Sequence, residues 1–300
     1  MNIIESFRSK VMQSIMSTPS MSKAWPVLYS TLSPYVPEPS NLTKRNIFDL
    51  GDHLSEAFLS VGGTRGQSDV GQAGVVWESL IVWYLNICLC GTNAVAFKGN
   101  KQFIPKTIDK ALTITYENLS LRSETDTLLV HLDNDELSQE IDSMAESLKK
   151  YIQIVDRHHN DVKLINLQCK TNWNDIAQIP MLWNLIYSPT FQHDYVGVGI
   201  NGYNISSFSV FRYAFVTVPT QKNYTFKPDC LPVLRVRTCS GGNYWGRPSQ
   251  SGVAFSIKEI FGRNQANNAM PNLTLIADAY VNGARDDSTE VDWKVYSLFR

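Results

Sequence analysis

The chain has 300 residues, 43% of them hydrophobic and 11% aromatic, which is enough to bury a sizeable core as one large domain or two modest ones. Its formal net charge of −1 excludes a protein that coats nucleic acid by bulk electrostatics, though a local basic groove remains compatible with it. No run approaches the roughly 18 to 20 apolar residues of a membrane span, and the opening MNIIESFRSK lacks the basic-then-apolar order of a secretory signal, so a soluble, cytoplasmic protein is expected.

Cys88, Cys90, Cys169, Cys230 and Cys239 are odd in number and scattered, with no CxxC pair. They suggest neither a disulfide framework nor a zinc site, and reduced thiols are expected. Sequons such as those at Asn118 and Asn272 carry little weight without a secretory signal.

In chain order, the first 50 residues open as helix and pass into STLSPYVPEPSN, whose prolines and serines mark a surface connection. The glycines of VGGTRGQSDVG do not have the GxxxxGK spacing that cradles phosphate, but Arg65 and Gln67 in that loop are candidate DNA contacts. From Gly71, GQAGVVWESLIVWYLNICLCG predicts the strongest helix of the N-terminal third. Gln72, Ser79 and Asn86 fall on one polar line, and Gly91 is placed to stop the helix. Glu78 is surrounded on that helix by Gly74, Val75, Ile81, Val82 and Leu85. A carboxylate on an apolar face needs a cation, a proton or a hydrogen-bond donor.

TITYENLSLRSETDTLLVHLDND predicts two strands, the second being TDTLLVHL with Asp126 at its mouth. Glu124 is a competing acid two residues earlier, expected outside the sheet. His131, alone after TLLV, reads as a satisfied core or surface histidine. The acidic stretch from Asp133 to Glu146 follows, with Leu137, Ile141, Met144, Leu148 and Ile152 at the helical period, which predicts an amphipathic helix with its acids toward water. DRHHND reads as an exposed turn in which His158 and His159 diverge too far to share a metal.

In the strand VKLINLQCK, alternation puts Leu164, Asn166, Gln168 and Lys170 on one face, with polarity growing toward the end. An unpartnered buried amide costs roughly 1–3 kcal/mol, so Gln168 and Lys170 need water or a site. WNDIAQIPMLWNLIYS then predicts a helix, with Asn172 or Asn174 as N-cap and Pro180 setting a kink or a later start. YVGVGIN, SFSVFRYAFVTV and LPVLRVRTC predict strands, SGVAFSIKEIFG a short helix, and LTLIADAY and DWKVYSLFR close the chain. Arg235, Arg237, Arg247, Lys258 and Arg263 stand against Glu259 alone, so a polyanion would bind nearer this segment than the acidic one. Helices and strands mix without strict βαβ alternation, which predicts an α/β (α+β) domain with a mixed central sheet flanked by helices.

The order helix glutamate (Glu78), strand-start aspartate (Asp126) and strand-end Gln168-x-Lys170 resembles the PD-(D/E)xK nuclease fold, the type II restriction endonucleases in particular. QCKTNWNDIAQIPMLWN, with Gln178 in the helix after the lysine, is similar to several such enzymes, and SGGNYWGRPSQSGVAFSIKEIF to their C-terminal portions. The resemblance spans roughly residues 70–190 in defined motif order and the remainder loosely. It implies a single nuclease domain over residues 1–300: a helical part to about 70, a catalytic core over about 71–190 and a DNA-recognition portion over about 191–300.

By that resemblance Asp126 matches the first acid, Lys170 the lysine and Glu78 the helix acid. Gln168 stands where the second acid belongs and brings no charge, and Thr125 replaces the proline. The implied cofactor is Mg²⁺, held by Asp126, the Gln168 side-chain oxygen and the Cys169 carbonyl, with Glu78 supplying the missing charge directly or through water. Lys170 would stabilise the attacking hydroxide or the transition-state oxygens. The implied substrate is double-stranded DNA cut at a short sequence by a homodimer, whose two-fold symmetry matches a palindromic site. Candidate base readers are Asn172, Asn174, Arg235, Arg237, Asn243 and Arg247. Two rivals stand beside this reading: a nuclease fold that binds nucleic acid without cutting, which the neutral Gln168 permits, and a carbohydrate-binding or glycan-processing protein, prompted by NYWG and seven tryptophans.

Overall fold

The computed structural model describes residues 1–61, 70–122, 125–171, 178–218, 227, 229–239, 243–245, 256–261 and 298–300. Helix α1 (Ile3–Met16) starts where the Asn2 side chain accepts the Glu5 N–H, and it buries Ile3, Phe7, Val11 and Ile15 at four-residue spacing. Pro19 opens α2 (Pro19–Leu32) in the first turn, where a missing N–H costs nothing. A reciprocal Thr43–Asn46 capping box starts α3 (Lys44–Asp49), and α4 (Leu54–Val61) follows. Helix α5 (Val70–Cys88) buries Trp77, Leu80, Ile81, Val82, Trp83, Tyr84 and Leu85 completely. Apolar from Val76 on except for Glu78, Ser79 and Asn86, it is a core helix, and Gly91 at φ 81° follows its end as the sequence predicts.

The remaining elements are β1 (Ala94–Lys98), α6 (Lys106–Leu112), β2 (Thr113–Tyr116), β3 (Leu119–Arg122), β4 (Thr127–His131), α7 (Met144–Arg157), β5 (Lys163–Lys170), α8 (Gln178–Ile186), β6 (Val196–Val198), β7 (Val210–Thr217), α9 (Leu231–Thr238) and β8 (Asn243–Trp245). Five strands form a mixed sheet in the order β1-β4-β5-β7-β8, antiparallel from β1 to β5 and parallel from β5 to β8. An antiparallel sheet, β3-β2-β6, stands apart from it. The fold is therefore the mixed α/β architecture expected, with helices packed on the sheet.

The register separates two faces. Lys98, Thr127 and Leu167 lie side by side, with Cys169 two residues further, on the face that α5 covers. Phe97, Leu128, Asn166 and Tyr213 align on the other, where Phe97 meets Phe7 of α1 edge-on at 5.7 Å and Tyr151 of α7 at 6.5 Å.

Several local expectations differ from what is found. LPVLRVRTC is helix α9 and not a strand: Pro232 falls in the first turn, and the extended Cys230 before it serves as N-cap. The acidic helix begins at Met144, where the Ser143 hydroxyl accepts the Glu146 N–H, while Leu137 sits in a separate 3-10 turn, Asp135–Ser138. TITYENLSLRSETDTLLVHL holds three strands, since Tyr116 pairs with Leu119 across a two-residue turn with Glu117 at φ 50°. No glycine announces that turn. Two helices, α1 and α2, precede the Pro- and Ser-rich connection. LTLIADAY and most of DWKVYSLFR lie outside the described residues.

Helices α1 and α5 are locked to β1 by a buried polar network. The fully buried Arg8 donates to both Glu5 carboxylate oxygens, to Asn86 Oδ1 at 3.2 Å and to the Thr92 carbonyl at 3.1 Å. Asn86 also donates to the Ala96 carbonyl at 2.6 Å and accepts the Ala96 N–H at 3.1 Å, so its amide pairs the outer edge of β1 as another strand would. Burial raises the Glu5 pKa, but the charge and hydrogen bonds of Arg8, with the Gly91 N–H and the Cys90 thiol, outweigh it and hold the carboxyl below the ordinary range.

Arg8→Met strands a buried carboxylate and is expected to cost about 3–5 kcal/mol in urea denaturation, whereas Glu5→Met/Arg8→Met costs less because neither charge remains. A depressed carboxyl stabilises the fold above the ordinary carboxylate range and loses that contribution as pH falls through its lowered value. Acid titration of the wild type followed by circular dichroism is therefore expected to show this loss below that range, and the double variant to lack it.

Candidate functional site

The cleft begins where β4 and β5 run out. Asp126 immediately precedes β4, and its Oδ2 accepts the Cys169 N–H at 2.8 Å, so the side chain closes the β4–β5 ladder after the backbone pairing has ended. Lys170, the last residue of β5, brings Nζ to 3.6 Å from the same oxygen. Both side chains are largely buried, at 14% exposure for Lys170 and 11% for Asp126. Lys170's carbonyl accepts the Val218 N–H on the opposite side, which anchors the strand end between its neighbours.

Gly99, just past β1, donates its N–H to the Asp126 carbonyl at 3.0 Å. A Cβ at Gly99 would lie 2.0 Å from the Thr125 carbonyl oxygen, so only glycine lets the Thr125–Asp126 backbone come this close.

Helix α5 supplies Glu78, whose partner is Lys98 at the end of β1, 3.0 Å away. The Lys98 ammonium also lies 3.4 Å from the Val75 carbonyl and 3.4 Å from Ser79 Oγ, so all three of its N–H groups have acceptors on α5. Glu78, Lys98, Gly99, Asn100, Thr125 and Asp126 line one cleft of about 320 Å³, walled on its far side by Val11, Ser14, Ile15 and Thr18. The structure thus brings Glu78, Asp126 and Lys170 into one neighbourhood, and adds Lys98 and Gly99 to it.

Cys169 lies within this charge group. Burial pushes its thiol well above the ordinary range, the negative charges of Asp126 and Glu78 push further, and the Thr127 hydroxyl and Lys170 offset only part of this. The thiol is therefore protonated and no nucleophile.

Gln168 is fully buried, and its amide oxygen accepts a short hydrogen bond from the Tyr213 hydroxyl on β7. Asn166, two residues earlier on the same face, is equally buried, and among the described residues neither of its side-chain polar atoms has a hydrogen-bond partner.

Of the proposed DNA contacts, Arg235 is partly buried on α9, Arg237 lies on α9 and Asn243 opens β8. Arg65, Gln67, Asn172, Asn174 and Arg247 lie outside the described residues. His158 bonds Glu136 Oε1 at 3.1 Å beside Arg157, an exposed ion-pair cluster away from the cleft.

The donor set suits a hard cation. Two carboxylates and a backbone carbonyl are oxygen donors, and Mg²⁺ takes one or two carboxylates while keeping waters and substrate oxygens. Among the described residues no group of three or more His, Cys, Asp or Glu side chains is placed to hold a metal, which leaves Asp126 with Glu78 as the pair to test. Lys98 and Gly99 were not legible as site residues, because AVAFKG shows only a short apolar strand before a turn.

Cys169 is expected to stay unlabelled by a thiol reagent at pH 8 in the folded protein and to react in denaturant, as read by mass spectrometry. Gly99→Ala is expected to lower stability by about 1–3 kcal/mol in thermal or chemical denaturation, because the Thr125 backbone must give way. Among the described residues no helix is long and apolar enough to cross a membrane. Comparison of the chain with protein-family models, with curated proteins and with solved structures returns no match.

Proposed function

We propose that the chain is a divalent-metal-dependent endodeoxyribonuclease of the PD-(D/E)xK type, hydrolysing phosphodiester bonds of double-stranded DNA, with Mg²⁺ as cofactor. The observation that carries this reading is the meeting of Asp126 and Lys170 at the ends of adjacent strands, beside a cleft that Glu78 enters from α5. Asp126 and Glu78, with the Cys169 carbonyl, would hold the cation. A bound Mg²⁺ supplies a water of lowered pKa and neutralises charge on the phosphate.

This chain's own residues do the rest. Asp126 is oriented by the Cys169 N–H, which fixes one of its oxygens and so its direction. Lys170, next to it, offers an ammonium to the oxygens that gain charge as water bonds to phosphorus and the bond to the leaving sugar oxygen breaks. Gln168 serves in this reading as a buried partner of Tyr213 that stiffens β5 against β7. The homodimer, the second half of the proposal, would place one such cleft at each strand of a two-fold symmetric site.

One observation favours binding without cutting: each cleft carboxylate already faces a lysine, and the amide at the second acid position is engaged by Tyr213. That reading predicts retarded DNA in a gel shift with no cleavage.

Purified protein is expected to linearise or nick plasmid DNA with Mg²⁺ and not with EDTA. Asp126→Asn and Lys170→Met are each expected to lower the cleavage rate at least about a hundredfold while far-UV circular dichroism is unchanged. Normal cutting by either variant sinks the proposal.

A further inference from the structure

The unassigned member of the cleft is Lys98. Its ammonium is caged by three acceptors, of which the Val75 carbonyl and Ser79 Oγ belong to the interior of α5 and cannot leave, while the third, Glu78, is a flexible side chain opening onto the cleft. Ser79 is itself held by a hydrogen bond to the Val75 carbonyl at 2.6 Å, so the fixed side of the cage is rigid. Lys98 and Glu78 are both about four-fifths buried, so their attraction is screened less than that of a surface pair.

We infer that Lys98 is a positioning residue that holds Glu78 in a resting ion pair, and that a divalent cation entering beside Asp126 takes Glu78 from it. Lys98 stays on Val75 and Ser79 throughout, and only the carboxylate swings. The pair keeps Glu78 at the edge of the cleft when no cation is present, and it opposes cation binding by the strength of the contact that must be broken. This inference rests on the metal-site reading above.

The test is binding of Mn²⁺ alone, without DNA, by isothermal titration calorimetry and by the electron paramagnetic resonance of free Mn²⁺. Lys98→Gln, which removes the charge but leaves a polar side chain, and Lys98→Met are each expected to tighten Mn²⁺ binding about tenfold by removing the competing charge. Glu78→Gln is expected to weaken it, and Lys98→Gln/Glu78→Gln to match Glu78→Gln, because the gain exists only where there is a carboxylate to release. Unchanged or weaker binding in both Lys98 variants overturns the inference, as does a gain that persists in the Glu78→Gln background. If Mn²⁺ binds the wild type and is lost in Asp126→Asn while Lys98 has no effect, the metal site stands and the partner exchange falls. If neither the wild type nor the Lys98 variants bind Mn²⁺, both fall. Tightened binding with no DNA cleavage keeps the exchange and removes the nuclease.

Discussion

The bond between Asn86 and the edge of β1 sets everything downstream of it. Asn86 takes both the N–H and the carbonyl of Ala96, and Arg8 fixes the amide from behind. Glu78 lies about two turns earlier on α5, and Lys98 two residues later on β1. The amide therefore registers helix against strand, and that register decides that Glu78 meets Lys98. A one-residue slip of β1 would turn Lys98 to the opposite face and take from Glu78 the cation it pairs with.

The sheet contributes the second half of the geometry by ending. Backbone pairing between β4 and β5 stops at Thr127 and Leu167, and beyond it side chains take over the hydrogen bonding. Asp126 lies one residue outside regular structure, where its carboxylate reaches a strand N–H without competing with a ladder. Gly99 makes this possible from the other side by having no side chain to hold Thr125 away.

Much of this was legible in the sequence and some was not, for reasons of range. The polar line Gln72–Ser79–Asn86 was visible in the sequence, but not that two of its members are buried and bonded, Ser79 to the lysine cage and Asn86 to β1. Alternation in VKLINLQCK assigned the faces of β5, and the mixed sheet followed from the order of elements. The LPVLRVRTC strand failed because alternating apolar and basic residues outweighed a proline in the first turn. Lys98 and Tyr213 could not be found by local pattern. Their meaning lies in partners on other elements, Glu78 on α5 and Gln168 on the neighbouring strand.

The position of Arg8 carries a further consequence, for synthesis on the ribosome. Helix α1 is made before the strand it packs on, and while Glu5 meets its guanidinium from the same helix, the other two acceptors, Asn86 and Thr92, lie 78 and 84 residues downstream. Until they arrive, docking the apolar stripe of Ile3, Phe7, Val11 and Ile15 would bury the Arg8–Glu5 pair with guanidinium N–H groups left unsatisfied, which opposes it. Full burial of α1 is thereby tied to the presence of the helix end and strand that complete its polar network.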